Sequence, residues 1–248
     1  LDTRLITHIS PAVAKAAIKS GVARIELTDW EEYHTKLQQR IGIDDKMMTR
    51  IINRAKRDPK RIVFAEAHNL KVLKAAQILI EEKIAYPILL GNRKIIEDLL
   101  EEHQLDLGDS TIFDPYDPSE EKRINKFAEF YYEKRKRKGA TTYGSKKLMF
   151  DRNYFGSMLV EHDEADALIS GLTKDYPKTI LPALQIIGME PRVRRVAGMY
   201  IINSKRGTYF FADTTVNVDP TPEQLVDIIG MTSRVVKLFD VEPRVAVM

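Results

Sequence analysis

The chain has 248 residues, 44% of them hydrophobic, which is ample for a core in one large or two modest α/β domains. Its 39 basic and 36 acidic residues leave a net charge of only +3, too balanced for nucleic acid to be the main partner, although a weak preference for anionic small molecules remains. The absence of cysteine excludes disulfides, thiolate nucleophiles and thiolate-bound zinc.

No signal peptide, no Asn-x-Ser/Thr site and no apolar run of the roughly 18 residues a membrane helix needs are present, so a cytoplasmic protein without a membrane partner is expected. The sequence opens on Leu1 without an initiator Met and closes on Arg244-Val-Ala-Val-Met248, which reads as a strand. In an open α/β sheet, chemistry gathers at the carboxyl ends of strands. The chain is therefore expected to be an internal piece of a larger protein, with its site C-terminally incomplete.

In chain order, residues 10–20 read as an Ala-rich helix with Ser10 as N-cap, Pro11 at its first position and Gly21 at its far end. A second helix is expected over 29–39, with Trp30, and a third, capped by Asp44, through Arg57. The module boundary is placed near Gly42. From Arg61 the rhythm is that of a doubly wound sheet: strand 62–65, helix 70–82, strand 87–90, helix 93–102, strand 111–113. A charged helix follows over 119–138, then a helix over 151–161, a strand at 167–170 and a helix over 179–187. Strands at 196–202 and 208–212, separated by Asn203-Ser-Lys-Arg-Gly207, predict an antiparallel hairpin. Thr221 and Pro222 open a last amphipathic helix.

The run Lys134-Arg-Lys-Arg-Lys138 could bind phosphates, but cations at a helix end complement the dipole and usually lie solvated. The histidines at 8, 34, 68, 103 and 162 lack metal-ligand spacing, so no metal site is expected. No Gly-x-Gly-x-x-Gly or Walker loop is present, so nicotinamide chemistry would belong to sequence outside these residues. Three polar strand ends remain: Glu66-Ala-His68, Ser170-Gly-Leu-Thr-Lys-Asp-Tyr176 and Asp213-Thr-Thr-Val-Asn217. Each could be an ordinary turn; together on one sheet face they would begin to define a cleft.

Five ordered segments carry a resemblance: Arg61-Ile-Val-Phe-Ala-Glu-Ala-His-Asn-Leu-Lys-Val-Leu-Lys-Ala-Ala76, Asn153-Tyr-Phe-Gly156, Glu164-Ala-Asp-Ala-Leu-Ile-Ser-Gly171, Pro182-Ala-Leu-Gln-Ile-Ile187 and Asp219-Pro-Thr-Pro-Glu-Gln-Leu225. Together they resemble the phosphate acetyltransferases (phosphotransacetylases) from about Asp44 to Met248. Leu1-Asp-Thr-Arg-Leu-Ile, Ser10-Pro-Ala-Val-Ala-Lys-Ala-Ala and Ser20-Gly-Val-Ala-Arg look like the end of the catalytic part of a bacterial NADP-dependent malic enzyme. Large enzymes of that type carry a phosphotransacetylase-like module.

The resemblance implies an α/β, three-layer αβα fold with two Rossmann-like subdomains of the phosphotransacetylase (isocitrate/isopropylmalate dehydrogenase-like) type. The expected divisions are 1–43 as malic-enzyme tail and linker, 44–150 as one subdomain and 151–248 as a second, truncated one. It also implies a regulatory module that binds acetyl-CoA and assembles as a homo-oligomer, in a parent that converts malate to pyruvate and CO2 with NADP and Mg or Mn. The candidate pocket residues are Ser170, Gly171, Tyr176, Asp213 and Asn217, with Glu66 and Lys71 at the opposite lip. No catalytic residue is assigned. Active transferases usually place an Arg where this chain has Leu181, and their catalytic Ser-Arg and Asp motifs would follow Met248. An active acetyltransferase and a pure dimerisation scaffold stand as alternatives.

Overall fold

The computed structural model describes residues 4–25, 27, 29–41, 46–191, 193–204 and 207–248. Contacts divide the chain into two compact units, Ile52–Arg195 and, together, residues 1–51 with 196–248. The expected divisions at 43 and 150 are not the ones these contacts draw.

Helix α1 spans Arg4–Lys19, α2 Trp30–Ile41 and α3 Lys46–Arg57. Ser10 is therefore not an N-cap: α1 begins earlier and carries Pro11 inside it. The apolar stripe Leu5, Ile6, Ile9 and Val13 continues the helical period through the proline, which costs one backbone hydrogen bond rather than the helix. Asp29 caps α2, accepting from the Glu32 N–H at 2.8 Å. Gly42 and Asp44 lie outside the described residues.

The unit Ile52–Arg195 is built on strands β1 (Lys60–Phe64), β2 (Ala85–Leu90), β3 (Thr111–Phe113) and β4 (Ala167–Ile169). All pair in parallel, in the order β3-β2-β1-β4. Helices α4 (Leu70–Glu81), α5 (Arg93–Glu102), α6 (Glu121–Arg135), α7 (Thr142–Leu148) and α8 (Arg152–Glu161) connect them, and α9 (Tyr176–Ile186) follows β4. Asparagines start two of these helices, Asn69 accepting from the Lys71 N–H at 3.0 Å and Asn92 from the Ile95 N–H at 3.1 Å.

Alternation along the strands sorts the core into two layers. Ile88 and Leu90 pack with Val63, Phe127, Phe155 and Met158, whereas Leu89 packs with Leu73, Ala76 and Ile96. The sheet thus lies between α4 and α5 on one face and α6 and α8 on the other. Phe127 and Phe155 are fully buried, each stabilising the unit by about 1.5–3 kcal/mol relative to an exposed ring. The chain winds outward from β1 to β2 and β3, then returns to β4 on β1's other side. That reversal makes the carboxyl ends of β1 and β4 a topological switch point, where sheets of this kind hold ligands.

In the other unit, β5 (Met199–Ser204) and β6 (Gly207–Ala212) form the expected antiparallel hairpin, with Tyr200 opposite Phe211 and Ile202 opposite Tyr209. Helix α10 (Pro222–Lys237) opens with a reciprocal capping box between Thr221 and Gln224. Residues 244–248 do not form the expected strand. Apolar composition favours extension, but a strand also needs a ladder partner, and none runs beside it among the described residues.

Candidate functional site

The switch point is organised by one carboxylate. Glu66 follows β1 directly and is 3% exposed. Its Oε2 accepts from the Gly171 N–H at 2.9 Å and the Leu172 N–H at 2.6 Å, and its Oε1 from the Thr173 N–H at 2.9 Å and the Thr173 hydroxyl. Gly171 makes this turn at φ +107°, where a side chain would be strained. Burial pushes the Glu66 carboxyl upward, but the bonds from Thr173, Leu172 and Gly171 outweigh it and hold the group below its ordinary value.

A second layer fixes the start of α8 against the same loop. Asn153, 1% exposed, accepts from the Ser170 hydroxyl at 2.7 Å and donates to the Lys178 carbonyl at 3.3 Å. Asp151 caps α8 through the Asn153 N–H at 2.8 Å and pairs with Lys174 at 2.7 Å. Close approach of α8 to β4 is what allows this, because a Cβ on Gly156 would meet Leu168 Cδ1 at 2.7 Å. Beside Glu66, the Arg152 guanidinium meets His68 Nδ1. Burial, then the Arg152 charge, holds the imidazole below its ordinary value against the opposing pull of Glu66.

Asp151 also lines a cleft of about 550 Å³ with Arg135, Lys138, Lys147 and Gln185. Arg135, Lys138 and Lys147 have no ion-pair partner among the described residues. Gln185 Oε1 accepts from the Tyr131 hydroxyl at 2.7 Å and the Tyr154 hydroxyl at 2.8 Å, so its NH2 group is the free end. Burial, reinforced by Tyr131, pushes Tyr154 up to about 12, so its hydroxyl stays a hydrogen-bond donor well into the alkaline range. Three cations and an oriented amide can receive an anionic ligand.

The sequence reading missed this cleft. It took Lys134–Lys138 as a solvated helix end, yet Arg135 and Lys138 face the cleft and Lys134 bonds Glu161 at 2.9 Å. The available signal was Tyr131 one turn before Arg135, which shares its helix face; Lys147 and Gln185 come from elements distant in sequence.

Of the predicted residues, Glu66, Ser170 and Gly171 share one network, and Tyr176 opens α9 just beyond it, 43% exposed. Lys71 is exposed on the first turn of α4. Asp213 and Asn217 meet in the other unit. There the Asp213 carboxylate accepts from the N–H groups of Gly198 at 2.8 Å, Thr215 at 3.1 Å, Val216 at 3.2 Å and Asn217 at 2.7 Å, and from the Asn217 side chain. Burial pushes Asp213 up, but these bonds prevail and bring it to about 2. Among the described residues, no three His, Asp or Glu side chains gather to hold a metal, and no helix is long and apolar enough to cross a membrane.

A parallel αβα unit with a polar loop at its switch point and a basic cleft lined by Asp151 defines an α/β module of the kind whose strand ends can receive ligands. More narrowly, the chain belongs to the phosphate acetyl/butaryl transferase family, whose model matches residues 46–248. The NADP-dependent malic enzyme of Salmonella typhimurium is 35% identical over 248 residues, 100% of this chain and 33% of that protein. The phosphate acetyltransferase of Bacillus subtilis is 36% identical over 188 residues, 76% of this chain and 57% of that protein. The crystal structure of a phosphotransacetylase from Streptococcus pyogenes superposes with a TM-score of 0.72 at 31% identity, covering 81% of this chain and 60% of that one. The chain spans about a third of the length of the malic enzymes it matches.

Proposed function

We propose that this chain is the phosphotransacetylase-like module of an NADP-dependent malic enzyme and that it binds acetyl-CoA as an allosteric effector. One observation carries the assignment. The match to malic enzymes runs through all 248 residues, including those before the family match begins at residue 46, whereas the match to the Bacillus subtilis transferase spans 188. The parent would oxidise malate, pass the hydride to NADP and release CO2 and pyruvate at a site in sequence outside this chain, where NADP and Mg or Mn would be held. It would be cytoplasmic and homo-oligomeric.

The effector reading is supported by the basic cleft, where Arg135, Lys138 and Lys147 would meet the phosphates of a CoA ester, with Ser170, Gly171 and Tyr176 on the neighbouring loop. Regulation requires only that acetyl-CoA bind two states of the parent with different affinity. The test is an acetyl-CoA titration of NADP-dependent malate oxidation by the full-length parent. A saturable change in rate, weakened at least tenfold in apparent affinity by Arg135→Ala and altered by Tyr176→Ala, is expected. A flat response in an active enzyme would sink the effector role.

The same cleft also favours a second reading, an active transferase moving acetyl from CoA to phosphate with release of free CoA. Against it, Leu181, 46% exposed, stands where the family resemblance calls for an Arg. Acetyl phosphate formation by the purified parent would select this alternative.

A further inference from the structure

We propose that Glu66 is a positioning residue: its carboxylate is the resident anion of an oxyanion receptor on residues 171–173, and its removal opens that receptor to a free small carboxylate. Three successive backbone N–H groups, on Gly171, Leu172 and Thr173, converge on the carboxylate at 2.9, 2.6 and 2.9 Å, and the Thr173 hydroxyl joins them. Successive N–H groups aimed at one point form an anion-binding concavity wherever they occur. Here both carboxylate oxygens are divided among the four donors, so no donor is left over.

Two features make this more than an ordinary turn. The anion comes from more than a hundred residues away along the chain, so it is not the local Asx or Ser/Thr bonding that polar loops make by default. Among the described residues no cation pairs with it directly, because the adjacent Arg152 is directed at His68 and Lys174 at Asp151. The backbone dipoles are thus the principal partners of a charge that is 3% exposed. The four donors are matched to the two oxygens of a carboxylate, and a formate ion has the shape of the group that fills them.

One consequence rests on the effector reading. With these donors occupied, the phosphates of a CoA ester are directed to the basic cleft rather than to the 171–173 loop. The receptor itself can be tested without any effector, so the two ideas fail separately. The experiment is thermal unfolding of this chain, wild type, Glu66→Ala and Glu66→Gln, in chloride and in formate at matched ionic strength. Glu66→Ala is expected to lower Tm by about 4 °C or more, and formate to recover at least half of that loss saturably. Glu66→Gln is expected to lose stability without rescue, since its amide occupies the space, and the wild type not to respond.

Equal formate effects on all three proteins, or a Glu66→Ala protein that melts with the wild type, would overturn the proposal. Should Glu66→Ala fail to fold, hydrogen exchange in the wild type decides instead. The Gly171, Leu172 and Thr173 amides should be slowed at least about 100-fold relative to an unstructured chain, the protection expected of closed rather than open hydrogen bonds. Exchange at free-loop rates would overturn the proposal equally.

Discussion

A carboxylate held by backbone N–H groups responds to pH differently from one held by a surface cation, because its partners do not titrate and salt screens them weakly. Asp213 provides the test. Its folded value of about 2 lies below the ordinary 3.8, so the unfolded chain binds the proton more readily across that interval. The stability it contributes is present above about pH 4 and is lost as pH falls toward 2. After allowance for partial exposure, its contribution is on the order of 1–2 kcal/mol. Asp213→Asn should therefore lower the urea midpoint at pH 7 and flatten its decline between pH 5 and pH 3, measured by circular dichroism. A variant with an unchanged pH profile would show that the loop bonds do not persist in solution. Residue-scale chemistry was only partly legible beforehand. Asp213 and Asn217 form a local turn, readable from spacing, but the hold of Glu66 on residues 171–173 joins the ends of two strands that only the folded sheet makes neighbours.

At the scale of elements, local signals worked where they were self-sufficient. Helix α5 and strand β3 fall on the expected residues because Asn92 caps one and a short β-favouring triplet makes the other. Helix α7 was not anticipated: seven residues with Gly144 and Ser145 inside carry little periodic signal, and Thr141 starts the helix by accepting from the Gly144 N–H at 3.0 Å. The strand expected over 244–248 failed for the opposite reason, having composition without a partner. Packing between elements yields a sharper expectation at Gly156. Its missing Cβ lets α8 approach β4, and a methyl group there would sit 2.7 Å from Leu168 Cδ1. The Leu168 side chain can shift only in part, because it packs against the buried cluster containing Val63 and Phe155. Gly156→Ala should cost about 1–3 kcal/mol, read as a lower Tm. A variant as stable as the wild type would mean that the helix slides without cost.

For the molecule as a whole, the parallel α/β character was readable from the alternation of strands and helices, whereas the division into units was not. The boundary expected at residue 150 came from the family resemblance alone. The sheet instead takes β4 from beyond that point and sets it beside β1, making Ile52–Arg195 one body. Both hydrophobic clusters lie within that unit, while the buried apolar side chains of the other are Leu37, Ile228 and Val236 among the described residues. Local stability follows buried contact, so the two units should differ in resistance to opening. Limited proteolysis at neutral pH, followed by mass spectrometry, is expected to cut within residues 1–51 and 196–248 before it cuts within 52–195. Early cleavage inside the sheet unit would refute that ranking.

The hairpin of β5 and β6 has a practical consequence. It pairs only with itself among the described residues, and Tyr200, Ile201, Ile202, Tyr209 and Phe211 are all exposed on it. A two-stranded ribbon needs packing support in water; among the described residues α10 gives it, with Phe239 just beyond the helix against Phe210, and the ribbon's open edges offer backbone groups to any strand that arrives. Encounters between molecules grow with concentration, and every molecule brings the same adhesive ribbon. For this polypeptide in a test tube, crowding by its own kind rather than heat should set the working limit.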